Sequence, residues 1–215
     1  MGQPKLLLDL AGRTVIARVI EALRGAGITR CLVVVRPGDA ALIQEVTTAG
    51  GEVVLPATAP PDMRQSVQWA LRTVGSRESG VGSQKTPHSV SPPLPLSPTP
   101  CLSPTPCDGW VLIPADYPTL NPQLVRELIA AWSARPSQVA VPVYQGHRGH
   151  PTIFPWSLAE EVFRLPPDQG LNAVLRSDPQ RVHEVLVSDP NVLDDLDTPE
   201  DLLRLRAELE YRPVG

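Results

Sequence analysis

Apolar residues recur at helical spacing in TVIARVIEALRGAG (14–27). Val15, Ile16, Val19, Ile20 and Leu23 form one stripe, Arg18, Glu21 and Arg24 lie opposite, and Gly25 and Gly27 mark the end. CLVVVRP (31–37) is instead a near-continuous apolar run, the pattern of a strand buried on both faces of a parallel sheet. DAALIQEVTTAG predicts a second helix and EVVLPA a second strand. DMRQSVQWALRTV (62–74) predicts a third helix that buries Val67, Ala70, Leu71 and Val74. Further on, WVLIPADYP (110–118) predicts a buried strand ending in a turn. NPQLVRELIAAWSA (121–134) predicts a helix with Pro122 at its first position. QVAVPVY, HPTIF and VHEVLVS read as strands, SLAEEVFRL and QGLNAVLRS as short helices, and TPEDLLRLRAELEY as a last helix. Strands alternating with helices of this length imply crossover units on a parallel sheet, where ligands bind beyond the carboxyl ends of the strands.

Residues 75–108 break the pattern. They are rich in Ser, Pro, Thr and Gly, and proline removes the amide donor that helix or ladder needs. The expectation is a disordered insertion in one 1–215 domain, extended where prolines cluster. PxxP-like spacing offers a second reading as a docking site for a proline-binding module. An insertion of this length costs little when its ends already lie close.

With 42% hydrophobic and 20% charged residues, a sizeable core is within reach of 215 residues. The net charge of −4 excludes a nucleic-acid binder working through a basic face, but not a small phosphorylated substrate. No apolar run approaches the roughly 18 to 20 residues of a membrane span, and the start lacks a secretory signal pattern. Of three cysteines, Cys31 opens an apolar strand as a reduced core residue, while Cys101 and Cys107 have the wrong spacing for a zinc knuckle. A reduced, cytoplasmic protein is the expectation.

Four stretches could carry chemistry. In LIPADYPTL, Asp116 follows an apolar strand directly; a carboxylate there can hold Mg²⁺ above the sheet, or simply cap the turn. In DDLDTPED (194–201), Thr198, Pro199 and Asp201 form a helix start. That leaves Asp194, Asp195 and Asp197 unexplained, and clustered like charges call for a cation. Asp197 is the preferred metal ligand, against a solvated acidic turn. Lys5, between Pro4 and an apolar run, could neutralise a metal-bound triphosphate as pyrophosphate leaves, or could be ordinary solvated surface. GHRGHP (146–151) suggests a tight loop near a ligand, with His150 as a hydrogen-bonding or packing residue. DQGLNAVL places Gly170 and Asn172 at a helix start that suits an anionic group or a pterin edge, and equally a plain cap. No Ser-His-Asp ordering, CxxC pair or HExxH motif is present.

In order, MGQPKLLLDLAGRTVIARVIEAL, MRQSVQWAL, LIPADYPTL, GHRGHPTIF, DQGLNAVL and LDDLDTPEDLLRL resemble the MobA-like nucleotidyltransferases, most closely the molybdenum cofactor cytidylyltransferase branch. The resemblance covers nearly all of the chain outside the Pro-Ser insertion. It implies a Rossmann-like three-layer α/β/α fold with a mostly parallel sheet. It implies transfer of a nucleotidyl group from CTP, or GTP in the sister branch, to the phosphate of molybdopterin, with a molybdoenzyme as eventual acceptor of the product. Lys5 would contact nucleotide phosphates with Gly2 and Pro4 beside it, Asp116 and Asp197 would hold Mg²⁺, and Ser66 would sit on the base side. His150 and Gly170 complete the expected binding residues.

In this family a first strand and a loop of the form L-A-A-G-x-S-x-R-M-G precede the x-P-K. Here the sequence begins at the Met-Gly of that loop, so the sheet is expected to lack its first, central strand and the natural protein to be longer. Asp62 also replaces a customary glycine. A rival reading is a remnant without the triphosphate loop that binds a pterin cofactor or chaperones it; a third is a nucleotidyltransferase for another phosphorylated acceptor.

Overall fold

The computed structural model describes residues 4–76 and 107–210. Most of the expected proline-rich insertion, and Gly2, lie outside the described residues. The helix before the insertion runs on through Ser76 rather than stopping at Val74.

The elements are β1 (Asp9–Leu10), β2 (Arg13–Thr14), α1 (Val15–Gly25), β3 (Leu32–Val34), α2 (Ala40–Thr48), β4 (Glu52–Val54), α3 (Met63–Ser76), β5 (Gly109–Leu112), α4 (Pro122–Ser133), β6 (Val139–Tyr144), β7 (His147–Arg148), β8 (Thr152–Pro155), α5 (Ala159–Arg164), α6 (Asn172–Ser177), β9 (Val182–Leu186) and α7 (Pro199–Glu210). Local chemistry fixes many of their starts. The Thr14 hydroxyl accepts from Ala17 N–H, the Asp39 carboxylate from Leu42 N–H, and the Asn121 side chain from Gln123 N–H ahead of Pro122.

The Rossmann-like α/β class expected from the sequence is what the chain adopts. The pairing is more mixed than a mostly parallel sheet, however. β3–β4 and β6–β9 run parallel, whereas β5–β8, β8–β6 and β6–β7 run antiparallel. Two features account for this. Gln145 and Gly146 both adopt positive φ, so GHRGHP begins in a tight hairpin turn. The chain then returns directly as β8 without a crossover helix. A second hairpin, β1–β2, turns at Ala11 and Gly12, again with positive φ; the alternation gave no sign of it.

Side chains alternate between two helical layers. Val111, Ala140 and Ile153 pack with Leu124 and Leu128 of α4 on one face. Trp110, Leu112, Val141 and Phe154 face the side of α3, α5 and α6. Trp110 and Phe154 stack at 4.4 Å. Among the described residues the sheet is in two parts, β3–β4 and the five strands β5 to β9, and neither β3 nor β5 has a strand on its second edge. Both strands border the core formed by α1, α2 and α4. This is why β3 and β5, expected to be buried, are only half-buried.

Candidate active site

Two distant segments are joined beyond the carboxyl end of β5. The strand ends at Leu112, so Asp116 follows it by four residues instead of directly. Leu196 N–H donates to the Asp116 carbonyl at 2.9 Å, which lays the segment before α7 against this loop. The Leu196 side chain is fully buried with Leu8, Leu10, Val15 and Leu205. Leu6 packs against that same cluster, so the apolar start of the chain is anchored and Lys5 is delivered to the loop. Pro4 is exposed and opens the short 3-10 turn Lys5–Leu7; its carbonyl accepts from Leu7 N–H at 2.9 Å.

Lys5 Nζ donates to Asp116 Oδ2 at 2.7 Å and to Asp197 Oδ1 at 2.6 Å. Residues 111 and 192 positions from Lys5 thus meet on one ammonium. Partial burial works against the charged ammonium, but the bonds it donates to Asp116 and Asp197 prevail and raise its pKa. Neighbouring groups register the negative field. Burial, then the carboxylates of Asp195, Asp116, Asp197 and Asp194, push the Tyr117 phenol up to about 12. Burial and the Asp197 charge raise the Asp195 carboxyl.

The ammonium stands where a divalent ion shared by Asp116 and Asp197 would be held, and Asp116 Oδ1 is buried without a hydrogen-bond partner. Two carboxylates reaching one cation, with Asp116 Oδ1 still unbonded, fit Mg²⁺ or Mn²⁺. Such ions take one or two carboxylates and complete their shell with substrate phosphates and water. Among the described residues no three His, Cys, Asp or Glu side chains gather into a metal site.

Asp194, Thr198 and Asp201 have a structural explanation. Asp194 binds Arg204 at 2.6 Å and accepts from the Thr119 hydroxyl at 3.3 Å. Thr198 and Asp201 close a reciprocal capping box: Asp201 N–H donates to Thr198 Oγ1 at 3.1 Å, and Thr198 N–H donates to Asp201 Oδ2 at 2.8 Å. The Thr198 hydroxyl and N–H hold the Asp201 carboxyl at about 2. Arg204 and Lys5 are the cations that Asp194 and Asp197 meet.

His150 and Gly170 come together in a cleft of about 480 Å³ between the start of α3, the ends of β5 and β8, and the 167–175 segment. His150 meets Tyr117 edge-on at 5.4 Å, so the cleft adjoins the Lys5 cluster. Burial pulls the imidazole pKa down, against a bond to the Leu112 carbonyl and the Asp116 charge. Gly149, just before it, packs so closely on the Val192 backbone that a Cβ would overlap the carbonyl. Asn172 does not cap α6, whose first residues lack a side-chain bond. Ser66 stands apart from the cleft, its hydroxyl donating to the Asp62 carbonyl of its own helix at 3.1 Å. Asp62 itself caps α3 through Gln65 N–H at 2.7 Å.

The sequence reading missed Arg64 and Gln68. Among the described side chains of α3 they, with Val67 and Leu71, are the buried ones, while Ala70 and Val74 are only half-buried. Positions 64, 67, 68 and 71 form a helical stripe. The signal was present, but two polar residues on it hid the face.

In a Rossmann-like α/β domain ligands bind beyond the carboxyl ends of the strands, which is where the carboxylate pair bridged by Lys5 lies, beside the cleft. The match is to the MobA-like NTP transferase domain over residues 1–185, and the chain belongs to that family, whose class of chemistry is nucleotidyl transfer. A comparison with curated proteins gives no match. Among solved structures, Rv0371c from Mycobacterium tuberculosis H37Rv superposes with a TM-score of 0.71 at 24% identity, over 96% of this chain and 90% of that one. Its complex with manganese gives 0.70 at 24% identity, over 96% and 93%. A cytidylyltransferase from Leptospira borgpetersenii gives 0.69 at 15% identity, over 98% and 81%. At these identities the likeness is one of fold. Among the described residues no helix is long and apolar enough to cross a membrane.

Proposed function

We propose that this chain transfers a cytidylyl group from CTP, or a guanylyl group from GTP, to the phosphate of molybdopterin or its molybdenum-loaded form, releasing pyrophosphate. A bond forms between an acceptor phosphate oxygen and the α-phosphorus as the α–β bridging bond breaks. The observation that carries the reading is the meeting of Lys5, Asp116 and Asp197 on one point. Asp116 and Asp197 would hold Mg²⁺, which when bound supplies Lewis-acid charge to the phosphates. A manganese complex of the similarly folded Rv0371c supports a divalent ion. Lys5 would offset charge on the departing pyrophosphate.

A phosphate monoester is already ionised near neutral pH, so the acceptor needs no general base. His150, kept neutral by burial, then serves as a positioning residue. Gly2, Pro4 and Ser66 are assigned to the nucleotide side, and His150 and Gly170 to the acceptor side. The product would pass to a molybdoenzyme in a reduced, cytoplasmic setting.

The test is pyrophosphate release in a panel of nucleotides against phosphorylated acceptors. Turnover with CTP or GTP and molybdopterin is expected. Turnover only with a different phosphorylated acceptor would leave nucleotidyl transfer standing and remove the acceptor assignment.

A further inference from the structure

The segment before α7 lies against the strand-end loop along three bonds in antiparallel order. Leu196 N–H donates to the Asp116 carbonyl at 2.9 Å, the Thr119 hydroxyl to Asp194 Oδ2 at 3.3 Å, and the Asn121 side chain to Asp189 Oδ2 at 3.4 Å. The middle bond opens a wider network. Asp194 Oδ1 accepts from Arg204 Nη2 at 2.6 Å, and the same nitrogen reaches Asp201 Oδ1 at 3.4 Å. Asp201 Oδ2 in turn accepts from Asp197 N–H at 3.2 Å. A continuous path therefore runs from Thr119, on the loop that carries Asp116, to the backbone of Asp197. The two acids differ in what they have left to offer. Asp194 is 14% exposed and both its oxygens are bonded to the protein. Asp197 is 64% exposed and stands on irregular chain between a 3-10 turn (Pro190–Leu193) and α7. A carboxylate on such a segment keeps its direction only when its backbone is held, and partners one step out from a metal-binding carboxylate do that holding.

Resting on the reading of Asp116 and Asp197 as the metal pair, we propose that Asp194 and Arg204 are positioning residues that fix the spacing of those two carboxylates. Asp194 fastens the segment to the Asp116 loop through Thr119. Arg204 passes the constraint on to Asp197 through Asp201. Neither is a ligand; the network sets how well the pair fits a divalent ion.

Mn²⁺ titration of the full chain, followed by electron paramagnetic resonance, reads that fit without turnover. Thr119→Val removes the hydroxyl and keeps the shape, and is expected to weaken Mn²⁺ about 2- to 5-fold. Asp194→Asn is expected to weaken it about 3- to 10-fold. The double variant is expected to lose less than the product of the two, because both changes break one path. Arg204→Lys keeps the charge beside Asp194 but lacks the fork that also reaches Asp201, and is expected to lose about 2- to 5-fold. In turnover at saturating substrates, each variant is expected to raise the Mg²⁺ needed for half-maximal rate. Unchanged Mn²⁺ affinity in the folded variants, with Asp197→Asn still weakening it, overturns the proposal and leaves the metal pair standing. Unchanged affinity in Asp197→Asn as well removes the metal pair and the proposal together. Mn²⁺ binding that depends on Thr119 and Asp194, without any pyrophosphate release, upholds the positioning and removes the transfer reading.

Discussion

Replacing Lys5 with methionine should make the protein bind Mn²⁺ more tightly. The ammonium occupies the place between Asp116 and Asp197 at 2.7 and 2.6 Å, so an arriving ion must first displace it. Asp116 and Lys5 are about a quarter exposed, and Asp197 is 64% exposed. Solvent screening therefore sets the first pair near the upper end of the exposed-pair range and the second near the lower end. Together they come to about 1 to 1.5 kcal/mol. Removing that competition is worth about 5- to 10-fold in affinity. Methionine keeps most of the apolar stem, so packing by the 3-10 turn should survive. Without a metal, the bare carboxylate pair should lower Tm by about 2–4 °C per kcal/mol lost. Loss of the free-ion electron paramagnetic resonance signal on titration measures binding without turnover, and Asp197→Asn should weaken it. Unchanged or weaker Mn²⁺ binding by folded Lys5→Met would refute the reasoning and make the three-residue cluster a structural tie.

Asp116→Ala should abolish pyrophosphate release while circular dichroism stays native, because the bond that pins Leu196 uses the Asp116 backbone carbonyl. Gly149→Ala should cost about 1–3 kcal/mol in denaturant unfolding, since the new methyl meets the Val192 backbone and cannot rotate away. The capping box predicts a pH dependence. The folded Asp201 carboxyl, at about 2, lies below the unfolded value of about 3.9, so its contribution is full above pH 4 and is lost as pH falls toward 2. The Tm gap between wild type and Asp201→Asn should therefore shrink across that window, and a gap that is constant from pH 6 to pH 2 would contradict it.

What could be read from the sequence was what acts locally. Helical period, the Thr198–Asp201 box and Pro122 at the head of α4 each depend on neighbours within a turn, and each appears where the pattern places it. What could not be read depends on partners far along the chain. Asp194 looked like a spare acid because its partner, Arg204, lies ten residues on, beyond any local spacing rule. The half-burial of β3 and β5 follows from a free edge, and composition cannot report which strands pair. Lys5 and Asp197 are separated by most of the chain, and periodicity gives no reason to join them. The resemblance implies that both serve one site, and the structure supplies the physical cause of their meeting. Leu196, one position before Asp197, is at once a fully buried side chain in the cluster that Leu6 packs against and the backbone donor to Asp116. A single residue thus serves both the satellite core and the strand-end loop. Any change that loosens the core around Leu196 must also separate the two carboxylates, so stability and site geometry are coupled at that position.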